Sequence, residues 1–168
     1  MPVYNKNKNF QNLALVCAVN NRSQLVYQDD KFGIQGEPTE AAMKVLSEKI
    51  GRFAGNVYDY KKNPQAYCDS IESKITRLAT LDFSSERKTM STVIKQDGKN
   101  VVLLKGAPER VVENCSGVLD ASGNIKPFET NNQKQAIIKE MQTIAAKGFR
   151  VLGVAMAPDG GNMKHLTE

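Results

Sequence analysis

The sequence predicts an α+β fold in which an antiparallel β-sheet is flanked by helices. Two observations carry that expectation. Asp97-Gly98 sits between two β-branched, apolar runs, Ser91–Lys95 and Val101–Leu104, and Gly98 can take the positive φ that a tight hairpin turn demands. Segments with helical apolar spacing lie on both sides of that hairpin. They alternate with it irregularly, not in the strand–helix repeat of a parallel sheet.

Taken in order, Phe10, Leu13, Ala14, Val16 and Cys17 recur at helical spacing and predict a helix reaching Val19. Gln24–Phe32 is short and mixed, a strand or a loop crossing. Gly36-Glu37-Pro38-Thr39 marks a helix start, with Pro38 in the first turn where its missing N–H costs nothing. Ala42, Val45, Leu46 and Ile50 give that helix an apolar stripe, and Gly51 is its expected end. A loop follows over 51–62. Asn63-Pro64 opens another helix carrying Tyr67, Ile71 and Ile75, and from Thr76 the period turns extended and leads into the hairpin. A short helix is expected over Ala107–Asn114 and a turn over Asp120–Asn124. Thr130 and Gln133 match a capping box, and Ile137, Ile138, Met141, Ile144 and Ala145 form a core stripe ended by Gly148. Phe149–Ala157 is nearly all apolar and reads as a strand central in the sheet. Residues 1–9 form a lead-in, 10–158 a single domain, and 159–168 a Gly-rich flexible tail.

Composition narrows the class of protein. Hydrophobic residues at 40% and charged residues at 24% are near globular averages, and 168 residues can bury a core. No apolar run approaches the ~20 residues of a membrane span, and the first residues lack the apolar core of a secretory signal. The chain therefore reads as soluble and monomeric. Cys17, Cys68 and Cys115 are an odd, scattered set with a lone His165, which speaks against a four-ligand zinc site and for reduced thiols. The net charge of +5 favours anionic partners, yet the basic residues are dispersed.

The residues that can carry chemistry cluster around the hairpin. Phe83 is either a core aromatic or a platform for a flat base, a contact worth ~1–3 kcal/mol. Lys105 follows four apolar residues and is either a strand-end charge or a partly buried ligand-binding amine, and Gly106 lets a ligand approach the backbone. Lys88 and Arg150 are either solvated charges or phosphate contacts, for which a guanidinium fork is suited. Glu37, Thr39 and Glu40 open a helix, where carboxylates favour the dipole. Met90 and Leu152 read as core residues able to line a base pocket, and Arg87 as structural. An aromatic face, a thioether and two ammonium groups suit a purine with a phosphate tail. There is no G-x-x-x-x-G-K-[ST] loop and no G-x-G-x-x-G, so a nucleotide would have to be held without a glycine cradle.

Phe83-Ser84-x-x-Arg87-Lys88-x-Met90 and Lys105-Gly106-Ala107-Pro108-Glu109, with Gly36-Glu37-Pro38-Thr39-Glu40 upstream and Gly148-Phe149-Arg150-Val151-Leu152 downstream, resemble the nucleotide-binding domain of P-type cation pumps. The likeness is greatest to calcium pumps of the sarco/endoplasmic reticulum. The resemblance implies an ATP-binding domain with this α+β architecture. Adenine would stack on Phe83, Glu40 would face its amino group with Thr39 close by, and Lys105 would lie at the adenine end with Gly106 and Ala107. Lys88 and Arg150 would contact the phosphates, and Met90 and Leu152 would line the base. Mg²⁺ would arrive with the nucleotide. The partners implied are the phosphorylation and actuator domains and the membrane helices of the same pump, on the cytosolic face of the endoplasmic reticulum membrane. Ser85 departs from the arginine common in the family and removes a cation from the phosphate end. The Asp-Lys-Thr-Gly-Thr block that carries the phosphorylated aspartate is missing, so turnover by this chain alone is not expected. Sodium or manganese pumps are the nearest alternative. A basic nucleic-acid-binding module, drawing on the net charge with Phe83, Phe149 and Tyr67, is the alternative of another class; the expectation is no nucleic acid.

Overall fold

Helix α1 (Lys8–Val19) begins the part of the chain that the structure, a computed structural model, describes, residues 7–157. The tail 159–168, His165 and most of the lead-in 1–9 lie outside the described residues. The chain divides into two compact units between Thr76 and Arg77.

The first unit is built on α1, the hairpin β1 (Gln24–Gln28) and β2 (Lys31–Gln35), α2 (Pro38–Phe53) and α3 (Ala66–Glu72). The predicted α1 forms. Asn7 accepts the Asn9 N–H at 2.9 Å to cap it, and Ala14–Val19 are all buried, enclosed by α2 and α3. Gln24–Phe32 is no crossing loop. It belongs to a two-residue hairpin in which Gln28 pairs with Lys31, and Asp29 and Asp30 both hold positive φ, at 51° and 57°. Aspartate tolerates that conformation, so Asp-Asp serves where Asp-Gly is the stronger signal.

The apolar stripe expected on α2 is not the face it buries. Ile50 is enclosed, but Val45 and Leu46 are 37% and 41% exposed and Ala42 is exposed too. The inward face instead carries Ala41, Lys44, Ser47, Glu48 and Gly51. The reason lies in α3. Lys44 Nζ pairs with Glu72 Oε1 at 3.2 Å, and the Glu48 carboxylate accepts the N–H groups of Tyr67 at 3.1 Å and Cys68 at 2.8 Å, which caps the start of α3. Gly51 does not end the helix. A Cβ there would lie 2.3 Å from the Tyr67 ring, so its small size admits that ring.

The second unit holds a four-stranded sheet in the order β3 (Thr76–Leu81), β4 (Thr89–Gln96), β5 (Lys99–Gly106), β8 (Gly153–Ala157). β4–β5 is the predicted hairpin, Gln96 pairing with Lys99 across Asp97 and Gly98 at φ 50° and 78°. α4 (Pro108–Asn114) packs on β8, and α5 (Asn131–Ala145) packs on α4. Between these helices, β6 (Gly117–Leu119) and β7 (Ile125–Pro127) flank the predicted turn, where Asp120 Oδ1 accepts the N–H groups of Ser122 and Asn124. The Gln133 side chain reaches back to the Thr130 N–H at 3.3 Å, as the capping box requires.

Two expectations are corrected here. The run Phe149–Ala157 is not a central strand: only 153–157 is extended in the sheet, and β8 stands at its edge, paired with β5. Gly153 reflects close packing of a helix, since a Cβ there would lie 2.8 Å from Val111 Cβ of α4. The stripe on α5 is only half enclosed, with Ile137, Ile138 and Met141 partly buried and Ile144 and Ala145 exposed. The fold class is α+β with antiparallel sheets. No helix of the described residues is long and apolar enough to cross a membrane.

Candidate functional site

The β4–β5–β8 register brings several of the predicted residues into adjacent rows. Met90 stands opposite Lys105, and Lys105 opposite Val154; in the next row Thr89, Gly106 and Gly153 face one another. Directly opposed residues point to one side of a sheet, so the Met90 thioether and the Lys105 ammonium share a face. Both are buried, at 2% and 6% exposed. Lys105 is thus no strand-end charge reaching for water.

Gly106 ties this row to the segment before β4. Ala107 N–H donates to the Lys88 carbonyl at 2.9 Å, and a Cβ on Gly106 would sit 2.3 Å from that oxygen. Only glycine lets the two motif blocks close together here. Lys88 itself has φ 54°, a left-handed conformation that a lysine adopts at a cost of order 1 kcal/mol or more. Its side chain is exposed.

Upstream, the chain from Asp82 to Lys88 is a tight turn. Lys88 N–H donates to the Ser84 carbonyl at 2.7 Å. Arg87 braces it from within: Nη2 donates to the Asp82 carbonyl at 2.7 Å, Nε to Ser84 Oγ at 3.1 Å, and the backbone N–H to the same Oγ at 3.2 Å. Phe83, between the two accepting residues, is 61% exposed. Of its two readings, the core aromatic is excluded. Ser84 stands in the motif but has no role assigned from the sequence; a serine three residues ahead of an arginine is the one signal for the brace.

Of the other predicted residues, Arg150 and Leu152 stand in the second unit, Thr39 and Glu40 in the first. Arg150 is exposed and Leu152 half-buried in the stretch that leads into Gly153, the partner of Gly106. Thr39 and Glu40 belong to the other unit, in the first turn of α2. Glu40 Oε2 accepts the Arg22 N–H at 2.7 Å and its carbonyl accepts Asn21 Nδ2 at 2.8 Å, fixing the linker that follows α1. Asn21 and Ser23 complete that linker, Ser23 donating its hydroxyl to the Glu37 carbonyl at 3.0 Å. Among the described residues, no group of three or more His, Cys, Asp or Glu could hold a metal ion.

Lys105 and Met90 are thus buried in one row of the sheet, while Phe83 on the braced turn and Lys88 at its end are exposed. The model of the family "P-type ATPase, cytoplasmic domain N" matches residues 9–164. This chain belongs to that family. Among its relatives is the endoplasmic reticulum-type calcium-transporting ATPase 2 of Arabidopsis thaliana, 31% identical over 94% of this chain and 16% of the relative's length. The endoplasmic reticulum calcium ATPase srcA of Aspergillus fumigatus is 33% identical over 88% of the chain and 16% of its own length. The probable cation-transporting ATPase F of Mycobacterium tuberculosis is 29% identical over 88% of the chain and 14% of its own. The chain thus spans about one sixth of the length of these relatives.

Proposed function

We propose that this chain is the ATP-binding domain of a calcium-transporting P-type pump, and that it holds adenine on the Phe83 ring. The observation that supports this most is the exposed phenyl group on a turn that hydrogen bonds hold rigid. An aromatic residue of the core would be enclosed, and a mobile surface one would not be braced from both sides. In this reading Met90, Gly106, Ala107 and Leu152 border the base, Lys105 supplies a cation at its edge, and Lys88 and Arg150 take the phosphates. Thr39 and Glu40 complete the reading by resemblance, Glu40 accepting from the adenine amino group. Mg²⁺ would be carried by the phosphates, and no step is assigned to it. The intact pump would use the γ-phosphate to phosphorylate an aspartate of another domain and so drive Ca²⁺ across the endoplasmic reticulum membrane, in line with the names of the relatives.

An NMR titration of the ¹⁵N-labelled chain with ATP, ADP and GTP tests the proposal. ATP and ADP should shift resonances of residues 83–90 and 105–107, and Phe83→Ala should weaken ATP binding about fivefold or more, the lower range of a stacking contact. Undisturbed resonances at millimolar ATP would end the reading. Glu40→Gln keeps an acceptor for Arg22 but can turn a donor toward a guanine carbonyl, so it should narrow the preference for ATP over GTP.

A further inference from the structure

We infer that Arg87 is a positioning residue for Phe83: its guanidinium holds the Asp82 carbonyl before the ring and the Ser84 hydroxyl after it, and so fixes where a bound base must lie. The inference rests on the adenine-binding reading of Phe83 and adds a residue to it. A side chain 61% exposed has few packed neighbours to set its direction, so its placement depends on the backbone that carries it. That backbone leaves β3 at Leu81 and enters a turn at Ser84. Residues 82 and 83 join that strand to the turn, and a tie across them sets the course of the backbone at Phe83.

Arg87 supplies the tie. Nη2 reaches the Asp82 carbonyl, one residue before Phe83, and Nε reaches Ser84 Oγ, one residue after it, at 2.7 and 3.1 Å. The Arg87 N–H also donates to Ser84 Oγ, so the hydroxyl collects two donors from one residue. A planar fork with donors at fixed angles can hold two acceptors at once; an ammonium on a flexible stem cannot hold both in the same geometry. Two of the donors of Arg87 thus point into its own turn and not outward to a ligand. Lys88, also exposed, follows the brace directly with a left-handed backbone.

The test uses the 168-residue chain with ATP and AMP as probes, with Kd values from NMR titration and spectral dispersion as the check of folding. Phe83→Ala, Arg87→Ala, the double variant, Arg87→Lys and Ser84→Ala are compared. Arg87→Ala should weaken ATP and AMP by the same factor, about threefold to tenfold, and should add nothing once Phe83 is alanine, because residues that act through one another are not additive. Arg87→Lys should recover little of the loss, and Ser84→Ala should show a smaller loss in the same direction. Losses that multiply in the double variant, or a loss for ATP without one for AMP, would put Arg87 on the phosphates and overturn the inference. So would an Arg87→Ala chain that binds both nucleotides normally while Phe83→Ala binds them weakly; in that case the stacking role of Phe83 stands and only the positioning role falls. If Phe83→Ala itself binds ATP normally, both fall.

Discussion

Glu48 shows how one carboxylate can serve a fold and still strain it. It is 6% exposed, and burial pushes its pKa above the ordinary value of 4.5, although hydrogen bonds from Cys68 and Tyr67 pull in the other direction. A group whose folded pKa is raised adds stability below its unfolded pKa, and that stability is lost as pH rises through the folded value. The first unit should therefore lose stability as pH climbs from about 4.5 toward neutrality, from this residue alone. Glu48→Gln has no charge to desolvate and keeps one acceptor for the start of α3, so it should flatten that slope. Urea unfolding of both chains across this range is the check, and parallel slopes would remove Glu48 as the cause. Lys105 is buried in β5 opposite Met90. Replacing it with methionine, of similar length, should leave a folded chain whose ATP affinity falls about tenfold, the worth of one charged hydrogen bond; unchanged affinity in the same titration would release Lys105 from the site. At this scale the sequence told residue types well and surroundings poorly. Phe83 was legible as an aromatic that is either enclosed or a platform, but which of the two depended on a turn that no local pattern specifies. Arg87 was legible as structural, but its acceptors were not, being a carbonyl, which every residue has, and a common hydroxyl.

Among the elements, the β4–β5 hairpin was the most legible, since Asp97-Gly98 fixes its turn and the turn fixes the register. From that register alone Met90 could be set opposite Lys105. Long-range packing defeated the reading elsewhere. α2 turns Lys44 and Glu48 inward because α3 provides Glu72 and two backbone N–H groups to meet them, and a scan for apolar stripes cannot see partners so far along the chain. β8 looked central because it is apolar, yet its Gly153 is small to seat Val111 of α4. The two glycines of the second unit that matter most are therefore required for different reasons. A methyl group added to Gly98 would meet nothing within 4 Å, but the residue holds φ 78°; one added to Gly106 would meet the Lys88 carbonyl at 2.3 Å. Gly98→Ala should cost about 1 kcal/mol through backbone strain with nucleotide affinity intact. Gly106→Ala should cost about 1–3 kcal/mol and also weaken ATP binding, because backbone must shift between Lys88 and Ala107. Denaturant unfolding paired with ATP titration separates the two. Equal effects of both substitutions on affinity would mean that the Lys88–Ala107 corner does not shape the site.

For the whole molecule, membership of the P-type ATPase N-domain family sets what the chain should do by itself. It spans about one sixth of the length of its pump relatives, and its sequence lacks the Asp-Lys-Thr-Gly-Thr block that would supply a phosphorylatable aspartate. A covalent phosphoryl intermediate needs that nucleophile, held in line with the γ-phosphate. Binding and turnover should accordingly come apart. With γ-phosphate-labelled ATP and Mg²⁺, the chain should bind nucleotide yet incorporate no label and release no phosphate above background. The affinity should also change little between low and moderate salt, because a stacked purine, unlike a nucleic-acid backbone crossing many cations, releases few counterions. These two measurements bear on different parts of the proposal. Label bound covalently to the chain would show a nucleophile among residues that the family does not use for one. A salt dependence steep enough to span several logarithms would instead mean that the net charge of +5, and not the Phe83 ring, governs what the surface holds.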